Sequence, residues 1–238
     1  MSAILITGAS SGIGRALALH LLKAGHSVWG IARNETHLKQ LSADSGSTIF
    51  FYSVCDVRML HDLQNLKKEM DNKGFKPDIL LLNAGVTSTS ADINHQTNYG
   101  GIANTWQVFK SGLQKHGGIV AVSGSLFALV QAPFNLSYSQ SKLDALNFLE
   151  QLSTEKENKS VRFNYFVLGP INTQRGNDLP WWKSLVIPSP EKTATYITKH
   201  LGGPALINIF PLSSHILMLL NKILPNVIMG RLITFLKR

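Results

Sequence analysis

Seven short apolar runs punctuate the chain, at 3–7, 27–32, 48–54, 78–83, 118–123, 161–167 and 205–209. They are apolar almost throughout instead of alternating, which is the pattern of strands covered on both faces of a parallel sheet. Between them, residues 13–24, 35–42, 59–72, 97–115, 136–157 and 190–200 have amphipathic spacing and predict helices. The alternation implies an α/β fold, a single Rossmann-type doubly wound parallel sheet of about seven strands with helices on both faces. No repeat or linker-like stretch interrupts it, so residues 1–238 are expected to form one domain. In such a sheet, ligands collect at the C-terminal strand ends. That rule places the turn after Thr7, Arg33, Asp56, Asn83-Ala84-Gly85, Ser125 and the turn from Gly169 to Thr173 along one edge.

Composition narrows the partners. Lysine and arginine outnumber aspartate and glutamate by 23 to 14, a formal charge of +9, and residues 191–238 hold six of those cations against one acid, Glu191. The surplus suits a phosphorylated cofactor, an acidic carrier or a membrane surface. Nucleic acid fits least, because no basic run interleaves with aromatics. Cys55 is the only cysteine, so no intrachain disulfide can form, and the first strand begins almost at once, leaving no room for a leader. The expectation is a cytoplasmic protein. Pro211, His215, Asn221, Lys222 and Pro225 break the apolar C-terminal stretch, so none of it reaches the roughly 18–20 residues of a membrane span. The eight histidines are dispersed and no metal site is expected.

The first strand runs into Thr7-Gly8-Ala9-Ser10-Ser11-Gly12-Ile13-Gly14. Gly8 permits a tight turn, Gly12 lets the backbone approach a pyrophosphate, Gly14 lets the helix lie close to the sheet, and Ser10 and Ser11 offer hydroxyls, with Ile13 inside the same turn. A plain strand–helix connection is the alternative. About 20 residues on, where an NAD site usually places a carboxylate, the second strand ends in Arg33-Asn34. A guanidinium there matches a 2′-phosphate, so NADP(H) is expected over NAD(H), against the alternative of a solvated loop residue. After the third strand, Asp56 is placed to accept from an adenine amine with Val57 against the ring, or else to cap the next helix. Asn83-Ala84-Gly85 ends the fourth strand with two small residues that allow close contact with a flat cofactor, although a simple turn would use the same residues.

Tyr138 and Lys142 stand four apart on a predicted helix and share a face. An ammonium beside a phenol favours its phenolate and makes it a usable acid and base. Ser125 follows the fifth strand, 13 residues before Tyr138, and Ser123 lies two residues earlier. Taken in order, Thr7-Gly8-x-x-x-Gly12-x-Gly14, Asn83-Ala84-Gly85, Ser125 and Tyr138-x-x-x-Lys142 resemble the short-chain dehydrogenase/reductase family, over residues 3 to about 175.

The resemblance implies direct hydride transfer between a nicotinamide and a substrate carbon. Tyr138 would move the proton, Lys142 would hold the nicotinamide ribose and act on the tyrosine, and Ser125 would orient the substrate oxygen. Asn98, in Asn98-Tyr99-Gly100-Gly101, would maintain a helix kink and a water-linked proton relay; a local backbone bond is its plain alternative. Gly169, Ile171 and Thr173 would contact the nicotinamide, although Leu168 stands where the family usually has proline. Residues 174–190, with Trp181 and Trp182, would form a substrate lid, with plain packing as the alternative. With Leu126, Phe127 and Phe134 they point to an apolar alcohol or ketone.

The reading is therefore an NADP(H)-dependent oxidoreductase acting on a small-molecule carbonyl/alcohol pair, with NAD(H) as the weaker fit. The alternative is a sensor or scaffold that binds the nucleotide without chemistry. An epimerase or dehydratase is disfavoured by the 65 residues after Thr173. The resemblance also implies a homodimer or homotetramer joined through the helices at about 97–115 and 136–157. The basic, apolar segment at 213–238 either packs against the protein or touches a membrane peripherally.

Overall fold

The computed structural model describes residues 1–130, 135–173 and 187–223. Its strands are β1 (Ala3–Thr7), β2 (Ser27–Ala32), β3 (Phe50–Val54), β4 (Ile79–Leu82), β5 (Gly118–Ser123), β6 (Val161–Leu168) and β7 (Ile207–Phe210). All pair in parallel in the order β3-β2-β1-β4-β5-β6-β7. The helices are α1 (Gly12–Lys23), α2 (Glu35–Ser45), α3 (Leu60–Asn72), α4 (Ala91–His95), α5 (Gly101–His116), α6 (Leu136–Thr154), α7 (Pro190–His200) and α8 (Leu212–Ile223).

The uniform hydrophobicity of the strands has the cause anticipated from sequence. On β1, Ile4 and Ile6 pack with Leu17, Leu38 and Ala194 of α1, α2 and α7, while Leu5 packs with Leu63, Trp106 and Leu149 of α3, α5 and α6. Both pleat faces are thus buried, and polar alternation is not tolerated. Sequence order reverses between β1 and β4, which opens a crevice beyond their C-terminal ends. Thr7 pins that point, its hydroxyl oxygen accepting from the amides of Asn83 (3.0 Å) and Ala84 (2.9 Å).

Two elements differ from expectation. The helix expected over 97–115 begins earlier, as α4, then passes through a π-helical turn at Gln96–Gly100 before α5. Amphipathic spacing cannot register one extra residue in a turn. The apolar C-terminal stretch contains α8, which leaves Leu212, Ile216 and Leu219 exposed while Ser214 and Leu217 are buried. Among the described residues no helix is long and apolar enough to cross a membrane.

Candidate active site

The crevice is a cleft of about 710 Å³, lined by Gly8, Ser10, Ser11, Gly12 and Ile13, by Arg33 and Asn34, by Cys55, Asp56 and Val57, by Asn83, Ala84 and Gly85, and by Thr173. Its first wall is the glycine turn. Gly8 has φ of +69°, and a Cβ there would stand 2.9 Å from the Ala84 Cα, so both backbone conformation and space require glycine. Gly14 does not line the cleft; any side chain on it would collide with the Gly8 carbonyl and the Asn83 amide. Its absence lets the Asn83 Nδ2 donate to that carbonyl at 3.3 Å. Ser11 is the N-cap of α1 but makes no side-chain capping bond, and the first turn carries no acid. The amides at this helix start are therefore open to an anion at the positive end of the helix dipole.

The second wall holds Arg33, exposed and without an ion-pair partner among the described residues. The nearest acid in sequence, Glu35, is paired with Lys39 at 2.7 Å. Asn34 is N-cap to α2, its Oδ1 accepting from the His37 amide at 3.0 Å, so this side chain already has a structural task.

Asp56 holds a partner that sequence reading missed. Arg58 donates from Nε to Oδ1 at 3.0 Å and from Nη2 to Oδ2 at 2.5 Å. Those bonds hold the Asp56 carboxyl below the usual carboxylate range, with Arg33 adding to the effect. Asp56 does not cap α3, whose N-cap is Met59. Val57 is buried against Gly101 of α5. Cys55 follows β3 directly, and burial pushes its thiol up to about 12.

The reacting groups meet the cleft at Gly85. The position a Cβ would take there lies 3.1 Å from both the Asn98 Oδ1 and the Lys142 Nζ. Lys142 is buried, and its ammonium donates to the Ser123 carbonyl at 3.5 Å. Tyr138 lies one turn earlier on α6, its ring centroid 5.9 Å from that nitrogen and 6.2 Å from the Phe127 ring, which meets it edge-on. Its hydroxyl has no hydrogen-bond partner among the described residues. Ser125 caps a 3-10 turn at Leu126–Ala128, its oxygen accepting from the Phe127 amide at 3.2 Å and its own hydrogen without an acceptor among the described residues.

Asn98 lies in the π-helical turn, fully buried. Its Oδ1 accepts from the Val86 amide at 2.8 Å, and its Nδ2 donates to the Val86 carbonyl at 2.9 Å and the Ser141 hydroxyl at 3.0 Å. Ser141 in turn donates to the Tyr138 carbonyl at 2.7 Å. The amide thus joins the loop after β4 to the helix of Tyr138, which is more than a local backbone bond.

Other groups fall elsewhere. Gly169 and Ile171 are not among the cleft-lining residues. Gly169 packs against Ser214 and Pro211 under α8, and Ile171 joins the core on the α1 side, so Thr173 alone of that turn reaches the cleft. Leu126 is buried in the core. Phe134, Trp181 and Trp182 lie outside the described residues. Sequence reading passed over Asn135, the N-cap of α6, which accepts from the Tyr138 amide at 2.9 Å and donates to the Ser88 carbonyl at 2.8 Å. Its signal was present: an asparagine three residues before the tyrosine, at a helix start.

Comparison with known proteins finds relatives in sequence and in fold. Residues 2–183 match the family model described as short chain dehydrogenase. A human 3-oxoacyl-acyl-carrier-protein reductase is 28% identical over 73% of this chain and 77% of its own length. The enzyme of the same description from Rickettsia typhi is 30% identical over 74% of this chain and 75% of its own. An NADPH-dependent pterin aldehyde reductase from Arabidopsis thaliana is 36% identical over 44% of this chain and 48% of its own. An alcohol dehydrogenase from Thermococcus sibiricus, solved with 5-hydroxy-NADP, shares the fold at a TM-score of 0.75 and 23% identity, covering 88% of this chain and 95% of that one. An NADPH-bound short chain oxidoreductase from Pseudomonas aeruginosa, with an atypical catalytic center, gives 0.76 at 22% identity, covering 87% and 94%.

Proposed function

The chain belongs to the short-chain dehydrogenase/reductase family of oxidoreductases, and from that premise we propose that it interconverts a carbonyl and an alcohol on an apolar substrate with NADP(H). The observation that carries the reading is the meeting at Gly85 of the nucleotide-sized cleft with the Lys142 ammonium and the Asn98 amide.

The residues fit the cofactor. The turn from Gly8 to Gly14 would hold its pyrophosphate and Arg33 its 2′-phosphate. Asp56 and Val57 would border its adenine, with Arg58 beside the carboxylate, and Asn83, Ala84, Gly85 and Thr173 would lie along its length. When bound, the nicotinamide supplies or accepts the hydride. The Tyr138 hydroxyl passes the accompanying proton to or from the substrate oxygen, and Ser125 gives that oxygen a hydrogen bond. Lys142 would hold the nicotinamide ribose and act on the phenol one turn earlier, while Asn98 fixes the loop that borders the cleft. NADP(H) over NAD(H) rests on Arg33 and on the absence, among the described residues, of an unpaired carboxylate beside it. The reductases among the relatives, one acting with NADPH on a pterin aldehyde, are consistent with this direction of chemistry.

Phe127, edge-on to Tyr138, supplies one apolar wall for the substrate. The exposed face of α8 and the basic, acid-free sequence after Glu191 support peripheral contact with an anionic membrane. Family membership carries the proposal of a homodimer or homotetramer joined through α5 and α6, and the single cysteine fits the cytoplasm. The test is a panel of carbonyls and alcohols followed by nicotinamide absorbance with both cofactors. Turnover of an apolar carbonyl with NADPH is expected; nucleotide binding without turnover of any member would favour the sensor reading.

A further inference from the structure

We infer that Tyr165 is a positioning residue that sets the end of β5, and the turn after it that bears Ser125, against the helix bearing Tyr138 and Lys142. Tyr165 lies on β6, paired with Val122 of β5, and is fully buried. Its hydroxyl donates to the Lys142 carbonyl at 2.8 Å. Its ring and hydroxyl lie directly against Gly124, the residue before Ser125. One side chain therefore joins the end of β5 to the second turn of α6.

Helix geometry alone fixes Tyr138 relative to Lys142, since both are on α6. It does not fix either of them relative to Ser125, and an error of an ångström between a proton donor and its hydrogen-bonding partner is costly to catalysis. The Tyr165 bridge supplies that missing restraint. Gly124 is complementary to it: any side chain there would collide with the Tyr165 ring and hydroxyl. Burial pushes the Tyr165 hydroxyl well above the ordinary phenol range. It therefore keeps its proton, and remains a donor to Lys142, wherever the enzyme works.

The inference rests on the proposed oxidoreductase reading, and its test separates the two. Tyr165→Phe keeps the ring and removes the bridge. With a substrate that the wild type turns over, kcat should fall at least fivefold while KM and NADPH affinity stay within about twofold. Gly124→Ala keeps the hydroxyl but displaces the ring. It should give the same kcat-selective loss, and the double variant should be no worse than the worse single one. Backbone amide exchange, measured with NADPH bound, needs no turnover: Tyr165→Phe should speed exchange at Ser125 and over the first turns of α6 but not in β1 to β3. A kcat within twofold of wild type, additive losses in the double variant, or unchanged exchange at Ser125 would each overturn the inference. A wild type that binds NADPH but turns over nothing would instead count against the enzyme reading, leaving amide exchange to decide the role of Tyr165.

Discussion

Replacing Asn98 with alanine is expected to destabilise the protein and loosen the wall between the cleft and the reacting groups. The side chain is fully buried and makes three hydrogen bonds, to the amide and carbonyl of Val86 and to the Ser141 hydroxyl, at 2.8, 2.9 and 3.0 Å. Truncation deprives both Val86 backbone groups of a partner; Ser141 keeps its bond to the Tyr138 carbonyl. Each stranded buried group costs about 1–3 kcal/mol, but Val86 is only half-buried and water can relieve part of the loss. The sum is then about 2–4 kcal/mol, or a melting shift of roughly 4–16 °C for a chain of this size. Asn98→Asp keeps an acceptor for the Val86 amide while losing both donated bonds, and should fall between alanine and wild type in NADPH affinity. Thermal and urea denaturation, with NADPH titration by fluorescence, measure both effects. An Asn98→Ala melting temperature within 2 °C of wild type, with cofactor affinity unchanged, would refute the claim that this amide ties the loop after β4 to α6.

Arg33→Asp should weaken NADPH binding by roughly tenfold to a hundredfold and leave NADH binding much less affected, with the difference shrinking as salt is raised; equal effects on both cofactors would remove the phosphate assignment. Because burial raises the Cys55 thiol to about 12, the thiolate is scarce at pH 8 and the native protein should label slowly with a thiol reagent while the unfolded chain labels at once. Fast native labelling would show that the site opens. Co-sedimentation with anionic vesicles should fall when Leu212, Ile216 and Leu219 of α8 are all changed to Glu; undiminished binding would remove α8 from the membrane contact.

Most of the architecture was legible because a sheet buried on both faces imposes apolar runs, and all seven strands fall within about two residues of where those runs predict them. The glycine turn was legible because its residues answer to backbone constraints that are local. What escaped detection depends on how the chain turns between its elements and on groups brought together by the fold. The Arg58 hold on Asp56 depends on how the chain leaves β3, and the π-helical turn at Asn98 depends on a loop 12 residues earlier. Gly169 looked like part of a cofactor turn, but its packing under Ser214 depends on α8, more than 40 residues downstream. Tyr165 read as one more aromatic in a buried strand, because a hydroxyl aimed at a helix carbonyl leaves no trace in hydrophobic periodicity.

The central claim is that the Tyr138 hydroxyl moves the proton that accompanies hydride transfer. Its most direct test is single-turnover reduction, followed by NADPH absorbance, with Tyr138→Phe beside wild type on a carbonyl that the wild type reduces. The account expects Tyr138→Phe to bind NADPH with wild-type affinity and to oxidise it at least a hundredfold more slowly; a rate within a few-fold of wild type would contradict the account.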